Sequence, residues 1–151
     1  MDAITLLKND HREVKALFAE VKALGEKAHV AREKLFAKID AALSLHAEIE
    51  EKIFYPAFKE RTKPATDERS EILEATEEHA VAKTLIGELR SLDCKDETYA
   101  AKLTVLMENV EHHVKEEEGT MFKMARELFD APELTELGAR LSDAKSSVPV
   151  A

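Results

Sequence analysis

The chain has 151 residues, 44% of them hydrophobic and 35% charged, with four Gly, four Pro and no Trp. That length is most economically one domain with a real core. A net charge of -9 and a pI near 5.2 argue against nucleic acid and anionic membrane surfaces, which need a basic face. Cys94 is the single cysteine, so no internal disulfide is possible and a reducing compartment is the natural home. It reads as a thiol in a short connection with no chemistry. The N-terminus "MDAITLLKND" lacks a basic start followed by an apolar run, so no signal peptide is expected. No apolar stretch approaches the roughly 20 residues that span a bilayer. A soluble, cytoplasmic, acidic protein is expected.

A first amphipathic segment starts near Asp2 and closes at Gly25, with Ile4, Leu7, Val14, Phe18 and Val21 at helical spacing. A second runs from about Val30 to Phe58, with Pro56 bending or ending it. "RTKPATDERS" is a turn, with Thr66 or Asp67 as N-cap of a third helix that carries Ile72, Ala75, Ala82, Ile86 and Leu89. That helix stops around "SLDCKD". Asp96 is a plausible cap for a fourth helix reaching Phe129, with Leu103, Leu106, Val110, Met121 and Met124 inward. "DAPEL" opens a short fifth helix that fades into "SSVPVA", expected to be frayed. No segment alternates as a strand does. The class is therefore all-α, an up-down-up-down four-helix bundle with a short fifth helix. Charge clusters such as "VKEEEG" are most simply the wet faces of helices.

The six histidines are His11, His29, His46, His79, His112 and His113. His11, His46, His79 and His113 each fall on the apolar stripe of a different long helix. His11 and His46 are 35 positions apart, with Glu50 four further on; His79 and His113 are 34 apart, with Glu117 four further on. The chain thus divides into two similar halves, about residues 2–60 and 66–130, followed by 131–151 as a short helix and tail. "HAEIEEKIFYP" aligns with "HVKEEEGTMFK", placing Tyr55 over Phe122; the second half lacks the proline. His112 is turned about 100° off the stripe that His113 shares with Val110 and Met124. His113 and Glu117 are therefore the interior pair, and His29 falls in the loop after Gly25.

A lone interior His–Glu pair is most often a satisfied core hydrogen bond. Four histidines and two carboxylates on four helices, at matching spacings, point instead to a metal site. Left unpaired in a dry interior, each would cost several kcal/mol. Imidazole and carboxylate suit iron, manganese or zinc. Six donors exceed the needs of one tetrahedral zinc and fit two metals with Glu50 and Glu117 bridging. Ferritin-like bundles use Glu-x-x-His, the reverse order at a different spacing.

The pattern His11, His46-x-x-x-Glu50, His79, His113-x-x-x-Glu117 resembles the hemerythrin-like HHE cation-binding domain over about residues 2–130. The words "LLKNDHREVKALF", "EEKIFYPAF" and "EEHAVAK" are also similar to that family. The resemblance implies a non-haem di-iron centre bridged by two carboxylates and an oxo or hydroxo group. It implies dioxygen binding, iron sensing, or reaction with peroxide or nitric oxide, so the expected partners are small molecules. The oxygen carriers of the family have a fifth histidine where Lys83 stands, and an aspartate where Glu117 stands. These departures imply open positions on both metals and favour redox turnover over stable dioxygen carriage. A dioxygen- or iron-sensing module without turnover, and a structural bundle holding zinc or no metal, are the other readings. Lys83 reads as solvent-exposed rather than as a donor to a bound ligand.

Overall fold

The computed structural model describes residues 1–147. Helix α1 (Ala3–Lys22) begins where the Asp2 carboxylate accepts from the Thr5 N–H at 2.8 Å. The second arm is α2 (His29–Ile49), a π-helical turn (Glu50–Phe54) and α3 (Tyr55–Glu60), run together without a break. The third is α4 (Asp67–Ser91), capped by the Thr66 hydroxyl. The fourth is α5 (Tyr99–Glu116), a second π-helical turn (Glu117–Met121) and α6 (Phe122–Leu128). Four arms and a fifth helix, α7 (Ala131–Ser147), give the all-helical bundle the sequence implied; no strand occurs among the described residues.

Several boundaries differ from the sequence expectations. His29 opens α2 instead of lying in the loop. Thr98, not Asp96, is the N-cap of α5; the Asp96 carboxylate is spent on the Thr98 N–H and hydroxyl, a local turn just before the helix. Pro56 does not end its arm. A π turn directly precedes it, and a matching π turn occurs in the other half without a proline, so the proline is not its cause. The fifth helix has 17 residues and is not short. It starts in a reciprocal cap, with Glu133 N–H donating to Asp130 and Asp130 N–H donating to Glu133. Of the expected frayed end, Ser146 and Ser147 are helical and residues 148–151 lie outside the described residues.

Apolar burial drives the assembly, at about 1.5–3 kcal/mol for each large side chain fully removed from water. It falls into two clusters. One holds Ile4, Leu7, Ile49, Phe54, Phe58 and Phe122, and is closed by Leu134, Leu137 and Leu141 of α7. The other holds Phe18, Ile39, Ile86, Leu89, Leu103 and Leu106 toward the opposite end. Gly138 lets α7 lie hard against the start of α1, because a Cβ there would sit 2.2 Å from the Met1 carbonyl oxygen. No described helix is long and apolar enough to cross a membrane.

Candidate metal centre

The six donors expected from the sequence lie between the two apolar clusters, and all are buried. Glu50 and Glu117 are 0% and 1% exposed, and the four histidines 3–7%. They form two groups, His11 with His46 and Glu117, and Glu50 with His79 and His113. Within each, the potential ligand atoms lie within 4.8 Å of one another. Donors held at about 2.1 Å from one ion lie at most about 4.2 Å apart, a spacing that small side-chain shifts would reach from here.

Both carboxylates face both groups. Glu117 turns Oε1 to His11 Nε2 at 3.1 Å and Oε2 to His113 Nε2 at 3.0 Å. Glu50 Oε1 stands 3.0 Å from His46 Nε2 and 3.3 Å from His79 Nε2. His112 stays outside with its side chain 66% exposed, and His29 is remote from the layer.

Every inward Nε2 has an outward Nδ1 held by a carboxylate, and sequence reasoning missed these four carboxylates. His46 Nδ1 pairs with Asp10 at 2.9 Å and His113 Nδ1 with Glu78 at 3.0 Å. His11 Nδ1 pairs with Glu118 at 2.6 Å and His79 Nδ1 with Glu51 at 3.3 Å. The pattern follows the two halves. The acid just before the first histidine of each half (Asp10, Glu78) holds the second histidine of that half. The acid just after each inward glutamate (Glu51, Glu118) holds the first histidine of the other half. Such partners fix the ring and leave Nε2 as the free donor, as around protein-bound metals. Lys83 pairs with Glu51 at 2.7 Å, and Lys145 of α7 pairs with Asp10. Lys83 is thus exposed, as expected, but tied to the support of His79.

The two π turns bring a further side chain into the layer. In an α-helix position i+5 is turned about 140° from position i. In the widened turn the Tyr55 N–H reaches the Glu50 carbonyl and the Phe122 N–H the Glu117 carbonyl. Tyr55 and Phe122 consequently follow the glutamates inward. The Tyr55 hydroxyl donates to Glu117 Oε2 at 2.6 Å and stands 3.3 Å from Glu50 Oε1, His79 Nε2 and His113 Nε2. Phe122 stacks on the His11 ring at 5.9 Å. The alignment of Tyr55 with Phe122 was the available signal for this hydroxyl.

Electrostatics follow from that packing. Burial disfavours charge on His46, yet Glu50, Asp10 and Glu117 raise it to about 10; burial is likewise outweighed at His113, where Glu117 and Glu78 raise it to about 11. Burial would raise the Glu117 carboxyl, but the His11 and His113 imidazoles, 3.1 and 3.0 Å from its oxygens, outweigh it and hold it well below the carboxylate range. Burial, then Glu117 and Glu50, push the Tyr55 phenol well above its ordinary value.

The donors fit a metal ion on a direct test. His11 Nε2, His46 Nε2 and Glu117 Oε1, the whole of one group, are buried and make no aligned hydrogen bond although each has an oppositely polar neighbour 3.0–3.1 Å away, and Glu50 Oε2 is likewise unpartnered. Buried polar atoms are normally satisfied, and four orphans converging on one layer call for a ligand.

Paired histidine–carboxylate groups in the middle of a helical bundle define a metal-binding class of protein. The chain belongs to the hemerythrin HHE cation-binding domain family, whose model matches residues 2–125. It is similar to a crystal structure of a hemerythrin HHE cation-binding domain-containing protein from Mycobacterium kansasii, an Rv2633c homologue. That likeness has a TM-score of 0.78 and 25% identity, and covers 97% of this chain and 89% of the other. It is also 24% identical, over 98% of its length, to a DNA nickase of Nostoc sp. (strain PCC 7120). The chain spans only 40% of that relative's length.

Proposed function

We propose that the two groups hold a pair of metal ions, iron by family resemblance, and that the centre binds or reacts with peroxide, dioxygen or nitric oxide. His11, His46, His79 and His113 serve as terminal ligands, with Glu50 and Glu117 as bridges. The single observation that carries this reading is the set of four buried, unpartnered donor atoms in one layer. A bound iron pair supplies Lewis acidity and redox equivalents to such ligands.

This chain's residues supply the rest. A cleft of about 270 Å³ reaches all four histidines between walls that include Val14, Ala47, Ala82, Ile86 and Val110, a path for small neutral molecules that limits water. The opposite side is plugged by Phe54 and Phe122 around Tyr55. The Tyr55 hydroxyl holds a proton against Glu117 within the layer. A reducing, cytoplasmic setting suits the free Cys94. The net charge of -9 disfavours binding to DNA, so nicking is not proposed for this chain.

Peroxide turnover by the iron-loaded protein tests the reactive reading. Decomposition well above that of an equal amount of free iron is expected. A rate no faster than free iron would reduce the function to binding or sensing dioxygen or iron without turnover.

A further inference from the structure

A second depression reaches the same layer, meets the first cleft at Glu78 and His113, and is far richer in carboxylates. It is a groove of about 460 Å³ between α4 and α5, walled by Glu71, Glu74, Glu77 and Glu78 of α4 and by His112 and Glu116 of α5. Glu71, Glu74 and Glu78 recur at the three- and four-residue spacing that stacks side chains on one helix face. The groove floor includes His113 and Glu117, 6% and 1% exposed, whose Nε2 and Oε2 stand 3.0 Å apart. A surface row of carboxylates therefore runs down to two buried residues of the donor layer, one from each group.

The row has no basic counterweight. Elsewhere Glu48, Glu51, Glu88, Glu111 and Glu133 pair with lysine or arginine, and acids unpaired among the described residues, such as Glu13, Glu20 and Glu97, do not line this groove. Along the groove the ion-pair partners among the described residues are histidines, His112 at 3.7 Å and His113 at 3.0 Å, both on Glu78. Burial, then the nearby Glu116, Glu74 and Glu78, raise the Glu71 carboxyl, as expected where like charges crowd without relief.

We propose that this groove is the loading route for divalent cations, with Glu71, Glu74 and Glu116 gathering the ion at the mouth and Glu78 and His112 passing it to Glu117 and His113. The proposal rests on the metal-centre reading. Hard divalent cations give up water only to oxygen or imidazole donors, which this wall offers at each step. The first cleft shares Glu78 and His113 with the groove, but Glu78 is the one carboxylate among its described residues and Lys83 and Arg90 also line it, so an incoming cation meets positive charge there. A cleft lined with one sign of charge also concentrates counter-ions and speeds their capture. Cations and neutral ligands thereby reach the centre by different doors.

The test loads metal-free protein with Co(II) under anaerobic conditions and follows the visible cobalt spectrum in a stopped-flow instrument. The triple variant Glu71→Gln, Glu74→Gln, Glu116→Gln should reach the wild-type cobalt content and final spectrum, but about tenfold more slowly at low ionic strength. Its rate should depend less on salt. Glu74→Lys, at an exposed position, should slow loading alone. A charge-matched control, Glu13→Gln, Glu20→Gln, Glu97→Gln, should load at the wild-type rate. Unchanged loading in the groove variant, or equal slowing in the control, would overturn the route while leaving the metal centre standing. Wild-type protein that takes up no cobalt would overturn the metal-centre reading, and the route with it.

Discussion

The two donor groups are built from the same sequence words and are not the same site. His11, His46 and Glu117 carry three of the four orphaned atoms of the layer and lie beside Phe122. Glu50, His79 and His113 surround the Tyr55 hydroxyl, which lies at hydrogen-bonding distance from each of them. The supports differ as well. Asp10, behind His46, is buried and locked by Lys145 of α7, whereas Glu78, behind His113, lies at the groove and pairs further with His112 at 3.7 Å. A duplicated motif sets the donors. The residue that each π turn swings inward, and the helix packed outside, make the sites unequal.

The largest expected effect comes from removing what the groups share. Glu117→Ala should drop the metal content from about two ions per chain to one or fewer, because Glu117 faces histidines of both groups. Elemental analysis of reloaded protein checks this, and full double occupancy would refute the bridging role. Tyr55→Phe should make the second group resemble the first. We expect metal affinity to change there by about 10–100-fold, the scale of a lost polar neighbour at a metal site, with a smaller change in the first group through the lost bond to Glu117. Stepwise metal titration separates the two. Phe122→Tyr is the converse experiment and should shift the first group instead.

Smaller effects are expected from the outer lysines. Lys145→Met frees Asp10 and should weaken the His46 side, and Lys83→Met frees Glu51 and should weaken the His79 side, each by about tenfold or less. Off-rates to a chelator would show whether each acts on one group only; equal effects on both would blur the distinction. The smallest effect is a proton count. With raised values of about 10 and 11, His46 and His113 are imidazolium at neutral pH when no metal is bound. Loading must displace those protons, so affinity should rise with pH from 6 to 8. Calorimetry in buffers of different ionisation enthalpy would reveal the release, and a proton-neutral titration would contradict it.

Much of this was legible in the sequence, because the repeated His and His-x-x-x-Glu spacings sit on stripes that only a helical bundle can turn inward together. The supporting acids were not legible. Asp10, Glu51, Glu78 and Glu118 are adjacent in sequence to the inward residues, and helical phase alone places them on the flanks. They reach back to the rings only because a neighbouring arm brings the imidazole edge to them. The π turns were also invisible, since an added residue per turn leaves the apolar pattern nearly intact while redirecting Tyr55 and Phe122. The depth of α7 depends on one small residue, Gly138, whose role appears only when Met1 is seen against it.

The most direct test of the central claim is metal content per chain, with an optical spectrum, for protein reconstituted with ferrous iron and freed of excess metal. The two-group centre predicts about two irons per chain and near-ultraviolet ligand-to-metal absorption. One ion per chain, or none retained, would contradict it and leave the histidine–glutamate layer a structural feature of the bundle.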